Sequence, residues 1–241
     1  MCCMLICNLA FNTVMAAVKV EINKQLHKFA HEPHLVEVLA PIANQKKWYW
    51  PSAALYQAND TQLEETRQLL LANLSNLINR YQTKAPEIAL SLEQLKVTIT
   101  NWRLARRIPI KIDYDMARIV DSKNPRLPKG DYILELSKRM NTVQLFGAVN
   151  KIGDIPHLPH ADASEYFTSQ TRINLANKDI LILIQADGRE LTVPIAYWNK
   201  NHQEIMPGSQ LFVPFNESLF HPEIPHINQQ ILALALNRLR Q

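Results

Sequence analysis

The chain has 241 residues but little cysteine and little glycine, and both scarcities limit its chemistry. All three cysteines, Cys2, Cys3 and Cys7, lie in the first apolar run, so the remaining residues offer no thiol for a disulfide, a metal site or a nucleophile. Five glycines against fourteen prolines predict constrained rather than flexible turns. No phosphate-binding P-loop, GxGxxG fingerprint or GxSxG elbow occurs in the sequence.

Charge and hydropathy argue against two further classes of protein. The net charge is +4 and no dense block of Lys and Arg accompanies it, which does not favour a nucleic acid or an anionic membrane as a partner. After the N-terminal run, no stretch reaches the roughly 18 apolar residues that a membrane-spanning helix needs. We therefore expect no nucleic-acid partner and no transmembrane segment in the mature chain.

The N-terminal run itself resembles an export signal. Residues 1–16 are uncharged and mostly apolar, end in the small-residue pattern Val14-Met15-Ala16, and are followed by the first charge at Lys19. This pattern predicts a secretory signal peptide. The usual basic leader is missing, so a misplaced start site and a buried N-terminal strand or helix are the alternatives. Cleavage near Ala16 would leave a mature protein without cysteine.

A helical hairpin is predicted over residues 58–103. Thr61 and Glu64 have the spacing of a capping box. Apolar residues then recur at helical spacing on both sides of a break at residues 83–86. They are Leu63, Leu70, Leu74, Leu77 and Tyr81, then Ile88, Leu92, Leu95, Ile99 and Trp102. Two antiparallel helices should pack along this seam.

The period changes to two after Arg107, which predicts strands. We predict them at residues 108–113, 131–136, 142–149, 180–185 and 190–197, with a short helix near residues 163–169. Two turn-and-strand segments resemble each other: LPKGDYILEL at residues 127–136 and MPGSQLFVPF at residues 206–215. The C-terminal residues NQQILALALNRLRQ predict an amphipathic helix.

Candidate metal and catalytic groups are sparse. His31 and His34 fall short of an HExxH motif because the spacing is one residue short and Pro33 intervenes, so we predict surface histidines and no cofactor or metal. Asp113 and Asp115 would point the same way on an extended strand and could form an acid–base pair. Their basic neighbours, however, favour a surface charge network.

Two clusters are better candidates for binding. One is Arg106-Arg107, where the hairpin returns to the sheet, and the other is Trp198-Asn199-Lys200 at a strand end. A flat ring, an amide and cations are the groups that hold sugars and acidic sugars. The alternatives are core packing for the tryptophan, and an ion pair with Asp113 or a helix cap for Arg107.

Several motifs, in this order, resemble the GfcC/YjbG-type capsule and exopolysaccharide proteins of Gram-negative bacteria. They are YWPSAALY, RRIPIKIDYDMARI, NPRLPKGDYIL, VQLFGAV, YWNKNH and MPGSQLFVPF. The resemblance covers the chain from about Val18 to its C-terminus. The arginine of the family's GRLPVKLD-like segment corresponds to Arg107, whereas Arg106 replaces the family's glycine, and Ser209 stands where a PGD-type turn has aspartate.

The resemblance implies an α+β fold of two β-grasp domains. We expect a signal peptide at 1–16, a first β-grasp domain at 17–57 plus 104–137 with the helical hairpin of residues 58–103 inserted, a second at 138–216, and a tail with an amphipathic helix at 217–241. The second domain is similar to the soluble-ligand-binding β-grasp of Wza-type exporters. The two turn-and-strand segments would then be the closing strands of the two domains.

The resemblance also implies a function. We expect a non-enzymatic periplasmic accessory protein in capsule or exopolysaccharide assembly or export, which binds glycan through Arg107, Trp198, Asn199 and Lys200. One alternative is a structural adaptor that docks on an outer-membrane exporter through the hairpin and the C-terminal helix, which could also lie at a membrane surface. A glycan-modifying enzyme that uses Asp113 and Asp115 is the remaining alternative.

Overall fold

The computed structural model describes residues 17–166, 171–196, 198, 202–217 and 222–240. The predicted signal peptide lies outside these residues and stays a prediction. The strands are β1 Val18–Ile22, β2 Gln25–Phe29, β3 Ala54–Gln57, β4 Arg106–Ile108, β5 Gly130–Glu135, β6 Thr142–Gly147, β7 Gly153–Pro156, β8 Ile180–Ile184, β9 Glu190–Pro194 and β10 Gln210–Val213. The helices are α1 Leu35–Leu39, α2 Thr61–Tyr81, α3 Pro86–Thr100, α4 Tyr114–Ile119 and α5 Ile224–Leu236.

The strands form two five-stranded sheets of identical plan. The strand order is β2-β1-β5-β3-β4 in the first sheet and β7-β6-β10-β8-β9 in the second. In each sheet a hairpin comes first, its leading strand pairs in parallel with the last strand of the unit, and that last strand pairs antiparallel with the third. The predicted α+β fold with two β-grasp units is confirmed.

The two similar sequence segments occupy the same place in the two sheets. LPKGDYILEL contains β5 and MPGSQLFVPF contains β10, and both are the central strands of their sheets. The turn before β10 needs a glycine because Gly208 has φ +82°. The segments are therefore the closing strands of two related units, as predicted.

The helical hairpin forms where it is predicted, with one difference at its start. Asp60 is the N-cap of α2 and accepts a hydrogen bond from the Gln62 amide at 2.9 Å, so Thr61 is the first helical residue rather than the cap. The shift of one residue follows from chemistry, because a carboxylate caps as well as a hydroxyl does.

The apolar seam of the hairpin packs with the second sheet and not with the first. Leu74 and Leu92 belong to the same buried cluster as Phe146 and Phe212, whereas the first sheet builds a separate core around Val20 and Leu134. The hairpin is therefore inserted in the first unit along the chain, yet it contributes its side chains to the core of the second.

The C-terminal helix α5 also belongs to this core. It packs against α2, and Ile224, Ile227, Ile231 and Leu234 are each at most 2% exposed. The fold itself therefore covers the apolar face of this helix, and docking of the helix on an exporter or at a membrane stays a prediction. Within the described ranges, no helix has both the length and the apolar character needed to cross a bilayer.

One predicted strand ends early. The segment after Arg107 leaves the sheet at Ile108, and Pro109 cannot donate to a ladder. Asp113 then caps α4 by accepting a hydrogen bond from the Met116 amide at 3.0 Å. The domain limits given above stay a prediction, since the structure fixes the elements and not the limits of independent folding.

Candidate functional site

Arg107 lies at the joint between the two β-grasp units. In β4 it is paired with Tyr56 of β3, and the centre of its guanidinium lies 5.9 Å from the Tyr56 ring centroid. Its backbone amide donates to the Asn237 side-chain oxygen at 2.8 Å, just beyond α5. Its Nη2 donates to the carbonyl oxygen of Ala186 at 3.2 Å, in the turn between β8 and β9. Three separate segments thus fix one arginine.

A buried polar network binds the backbone amide of Ala186, the residue whose carbonyl accepts from Arg107. The Ala186 amide donates to the hydroxyl of Ser209 at 3.0 Å, and that hydroxyl lies 2.9 Å from the side-chain oxygen of Gln185. The same Gln185 oxygen accepts from the Met206 amide at 2.9 Å. The turn before β10 therefore binds the turn that receives Arg107 through the side chain of Ser209 and the backbone amide of Met206.

Gly188 lets the guanidinium approach. It has φ +91°, and a Cβ at this position would lie 2.6 Å from both Cζ and Nε of Arg107. No side chain fits at that distance without displacing the arginine. The β8–β9 turn is consequently shaped around Arg107.

Arg107 forms part of the wall of a cavity of about 900 Å³. The ring of Trp50 lines the same cavity, as do the cationic side chains of Lys111 and Arg189. Asp187 is also present, but it is paired with Arg189, whose Nε lies 2.7 Å from its carboxylate. The wall therefore has an excess of positive charge beside one aromatic face.

The joint has a second arginine. Arg240 donates through Nη1 to the Ser52 carbonyl at 2.8 Å and through Nη2 to the same Ala186 carbonyl that Arg107 contacts. Its backbone amide donates to the Glu135 carboxylate at 2.9 Å. Burial raises the pKa of Glu135, and nearby arginines only partly offset this effect. Burial likewise raises the pKa of Tyr56, which lies between these groups.

The predicted site residues are only partly brought together. Trp198 is 76% exposed, and it is not among the described residues that line the Arg107 cavity. Asn199 and Lys200 lie outside the described residues. The Trp198-Asn199-Lys200 cluster stays a prediction, and the cavity presents Trp50 as its aromatic group instead. Among the described residues, Arg107 neither pairs with Asp113 nor caps a helix with its side chain, and its contacts are with Ala186, Tyr56 and the Asn237 side chain.

The carboxylate pair does not have the predicted geometry. Asp113 is the N-cap of α4, while Asp115 lies in its first turn and pairs with Arg118 at 3.8 Å. The expected strand alternation is wrong here because the chain turns into a helix. A helix cap and an exposed ion pair leave no shared acid–base dyad at these two residues.

Sequence reasoning missed Ala186, Gly188, Ser209 and Arg240. Gly188 had a weak signal, since an Asp-Gly turn between two predicted strands favours positive φ. The contribution of Ala186 is a backbone carbonyl, which no sequence pattern marks. Arg240 lies in the C-terminal segment that is predicted to be helical, but α5 ends at Leu236, and the contact of Arg240 with the joint depends on the packing of both units.

These features define a class of protein: two β-grasp units with a cationic cavity where β4 of the first meets the β8–β9 turn of the second. Two family models match this chain, described as capsule biosynthesis GfcC N-terminal over residues 11–139 and capsule biosynthesis GfcC C-terminal over residues 151–240. The chain belongs to this GfcC capsule biosynthesis family. It is also 28% identical over 208 residues to the uncharacterized protein YjbG of Escherichia coli K12, a match that covers 86% of this chain and 83% of that protein.

Proposed function

We propose that this protein is a non-enzymatic periplasmic accessory factor in capsule or exopolysaccharide assembly or export, and that it binds glycan in the Arg107 cavity. Membership of the capsule biosynthesis family supports the pathway. The export-signal character of residues 1–16 supports the compartment. The observation that carries the binding role is Arg107, which both units hold at the wall of the cavity.

The chemistry of the wall favours an acidic sugar. Arg107, Lys111 and Arg189 supply cationic donors for a carboxylate, and arginine can bind a carboxylate through two parallel hydrogen bonds. Trp50 offers an aromatic face against which the C–H face of a sugar ring can stack. Arg107 is already fixed by its contacts, so little side-chain entropy is lost when a ligand binds.

Calorimetry with uronic-acid oligosaccharides tests this role. Arg107→Ala should weaken binding by about tenfold or more, since a charge-assisted hydrogen bond is lost. Arg107→Lys should retain only part of the affinity, because an ammonium group cannot form the two parallel hydrogen bonds of a guanidinium group. Arg118→Ala, an exposed arginine on α4, is the matched control and should bind as the unaltered protein does. Equal binding by Arg107→Ala and the control would remove the cavity as the glycan site.

A second role is favoured by the outer face of the hairpin. Leu69 and Leu90 are each 61% exposed, and Val97 lies two turns beyond Leu90 and is 52% exposed. For the adaptor role, we propose this face as the contact for an outer-membrane polysaccharide exporter. Leu90→Ser with Val97→Ser should abolish co-purification with the exporter of the same organism and leave unfolding unchanged. Removing α5 is not a usable test, because it would remove part of the core.

A further inference from the structure

A second groove, which shares no lining residue with the Arg107 cavity, lies between the two β-grasp units. It consists of two adjoining cavities of about 490 and 430 Å³, both of which are lined by Met140 and Arg240. One wall is the outer face of the first sheet with Glu21 and Glu135, and the other is the second sheet with Gln144. The groove therefore runs between the two β-grasp units.

The second sheet presents a continuous polar row to this groove. Gln144 of β6 is directly opposite Asp154 of β7 and Gln210 of β10. Residues directly opposite on neighbouring strands place their side chains on the same face. Along β6, Thr142 and Gln144 are partly exposed while Val143 and Leu145 are buried, so the polar pair faces outward.

Two residues further along β6 and β10, the same face of the second sheet is aromatic and no longer polar. Phe146 and Phe212 follow Gln144 and Gln210 by two positions, stack at 5.3 Å, and are fully buried with Trp102 at their edge. The Gln210 side chain donates to the Ala235 carbonyl of α5 at 3.1 Å. The helices α2, α3 and α5 thus cover the aromatic half of this face. The polar half is not covered and forms a wall of the groove.

The polar groups in the groove are available to a ligand. Thr142, Gln144 and Asp154 line it and, within the described ranges, their side chains make no hydrogen bond. A threonine hydroxyl, an amide and a carboxylate together supply both donors and acceptors. Such a set matches a ligand with several neighbouring hydroxyl groups.

The charges of the groove nearly balance, because four cations (Lys24, Arg103, Arg238 and Arg240) and three carboxylates (Glu21, Glu135 and Asp154) line it. Arg103 lies 4.0 Å from Glu21, and the Arg240 guanidinium donates to two backbone carbonyls. Arg238 lies over the Trp102 ring, 5.2 Å from its centroid. This groove therefore differs from the Arg107 cavity, where three cations face one paired carboxylate.

We infer that the groove binds a neutral saccharide, through Thr142, Gln144 and Asp154 on the second sheet. The inference goes beyond the proposed function, because the location and the charge class of the ligand are both different. A glycan that carries acidic and neutral units could bind in the Arg107 cavity and in the groove, but binding in the groove does not require the Arg107 cavity.

The glycine amide signals in an NMR spectrum can distinguish binding in the groove from binding in the Arg107 cavity. Gly153 and Gly208 line the groove and Gly188 lines the Arg107 cavity, while Gly130 and Gly147 line neither. In protein labelled with ¹⁵N-glycine, neutral gluco-, galacto- and manno-oligosaccharides should shift the amide signals of Gly153 and Gly208. The Gly188 signal should stay in place. A uronic-acid oligosaccharide should shift Gly188.

Variants complete the test. Gln144→Ala with Asp154→Ala should weaken binding of the neutral oligosaccharide about tenfold or more while uronate binding is unchanged. Glu93→Ala with Gln94→Ala removes one carboxylate and one amide from the exposed face of α3 and should change neither.

Three results would overturn the inference. One is that no neutral oligosaccharide moves Gly153 or Gly208. Another is that the groove variant binds as the control does, and the last is that a neutral Gly-Ser peptide shifts the same signals as strongly. Loss of the uronate response alone would count against the Arg107 cavity and leave the groove standing.

Discussion

Gly188 and Arg107 are in such close contact that a single methyl group cannot be placed between them. A Cβ on Gly188 would lie 2.6 Å from the guanidinium carbon of Arg107, a separation that real Cβ atoms essentially never show. One residue belongs to the second β-grasp unit and the other to the first. Their contact therefore links the shape of a turn in one unit to the position of a binding side chain in the other.

Gly188→Ala should displace Arg107 and weaken uronate binding about as strongly as Arg107→Ala does. It should also lower the free energy of unfolding by about 1 kcal/mol or more, because the residue has positive φ. Calorimetry and urea unfolding measure the two effects. Gly153→Ala is the control, since Gly153 also has positive φ but no atom within 4 Å of the added Cβ. Unimpaired uronate binding by Gly188→Ala would contradict the prediction.

Ser209→Ala should destabilise the protein by about 1–3 kcal/mol, because the buried Ala186 amide would lose its acceptor. Urea unfolding followed by circular dichroism measures this. Ser91→Ala removes another buried serine, whose hydroxyl only donates to the Glu87 carbonyl within α3, so it should cost much less. Equal costs for the two variants would refute the bridging role of Ser209.

Asn228→Leu should be among the most destabilising changes in α5. The Asn228 side chain accepts from the Phe215 amide and donates to the Phe215 carbonyl, both at 2.9 Å, and all these groups are buried. Leucine would leave two buried backbone groups unpaired, at a cost of about 2–5 kcal/mol. Gln229→Leu, at the exposed neighbouring position, is the control in the same unfolding experiment. Equal stability of Asn228→Leu and the control would refute the role of the two Asn228 hydrogen bonds.

Glu135→Gln should stabilise the protein at neutral pH and make little difference in acid. Burial raises the pKa of Glu135 above its ordinary value of 4.5, so the folded state binds this proton more tightly than the unfolded state does. Stability from this group is therefore fully present below the unfolded-state pKa and is lost as the pH rises through the folded-state pKa. Glutamine keeps an acceptor for the Arg240 amide without the buried charge.

The measurement is the difference in unfolding free energy between Glu135→Gln and the unaltered protein, followed from acid to neutral pH. It should grow in favour of the variant as the pH rises. Glu93→Gln, on the exposed face of α3, controls for the loss of one surface charge. A difference that shrinks toward neutral pH would show that the Glu135 carboxylate is stabilised, and not destabilised, at the joint.

Local patterns in the sequence were sufficient to predict the helical hairpin and the two closing strands. The seam that contains Leu74 and Leu92 predicts the hairpin because helical periodicity depends only on neighbouring turns of the chain. The repeated turn-and-strand segments indicate two related units for a similar reason. The strand predicted after Arg107 is wrong beyond Ile108, since Pro109 and the capping carboxylate of Asp113 favour a break and a helix.

Only part of the candidate site could be predicted from the sequence. Arg107 could be singled out by its place in a motif that resembles a known family. Its partner is the backbone carbonyl of Ala186, and every residue has a carbonyl, so composition cannot mark that one. Trp50 is marked in the sequence only as part of the motif YWPSAALY, and its place in the cavity wall depends on how the first sheet meets the β8–β9 turn.

The sequence by itself determined the helical hairpin, the two closing strands and the family to which the chain belongs, because each of these depends on residue types at fixed spacings. Only the tertiary structure decided that the hairpin and α5 form the core of the second unit, and that Arg107 and Arg240 meet at the Ala186 carbonyl. Contacts between residues some 50 to 80 positions apart in the chain, as Arg240 and Arg107 are from Ala186, arise from burial and hydrogen bonding in the packed state, which local spacing does not encode.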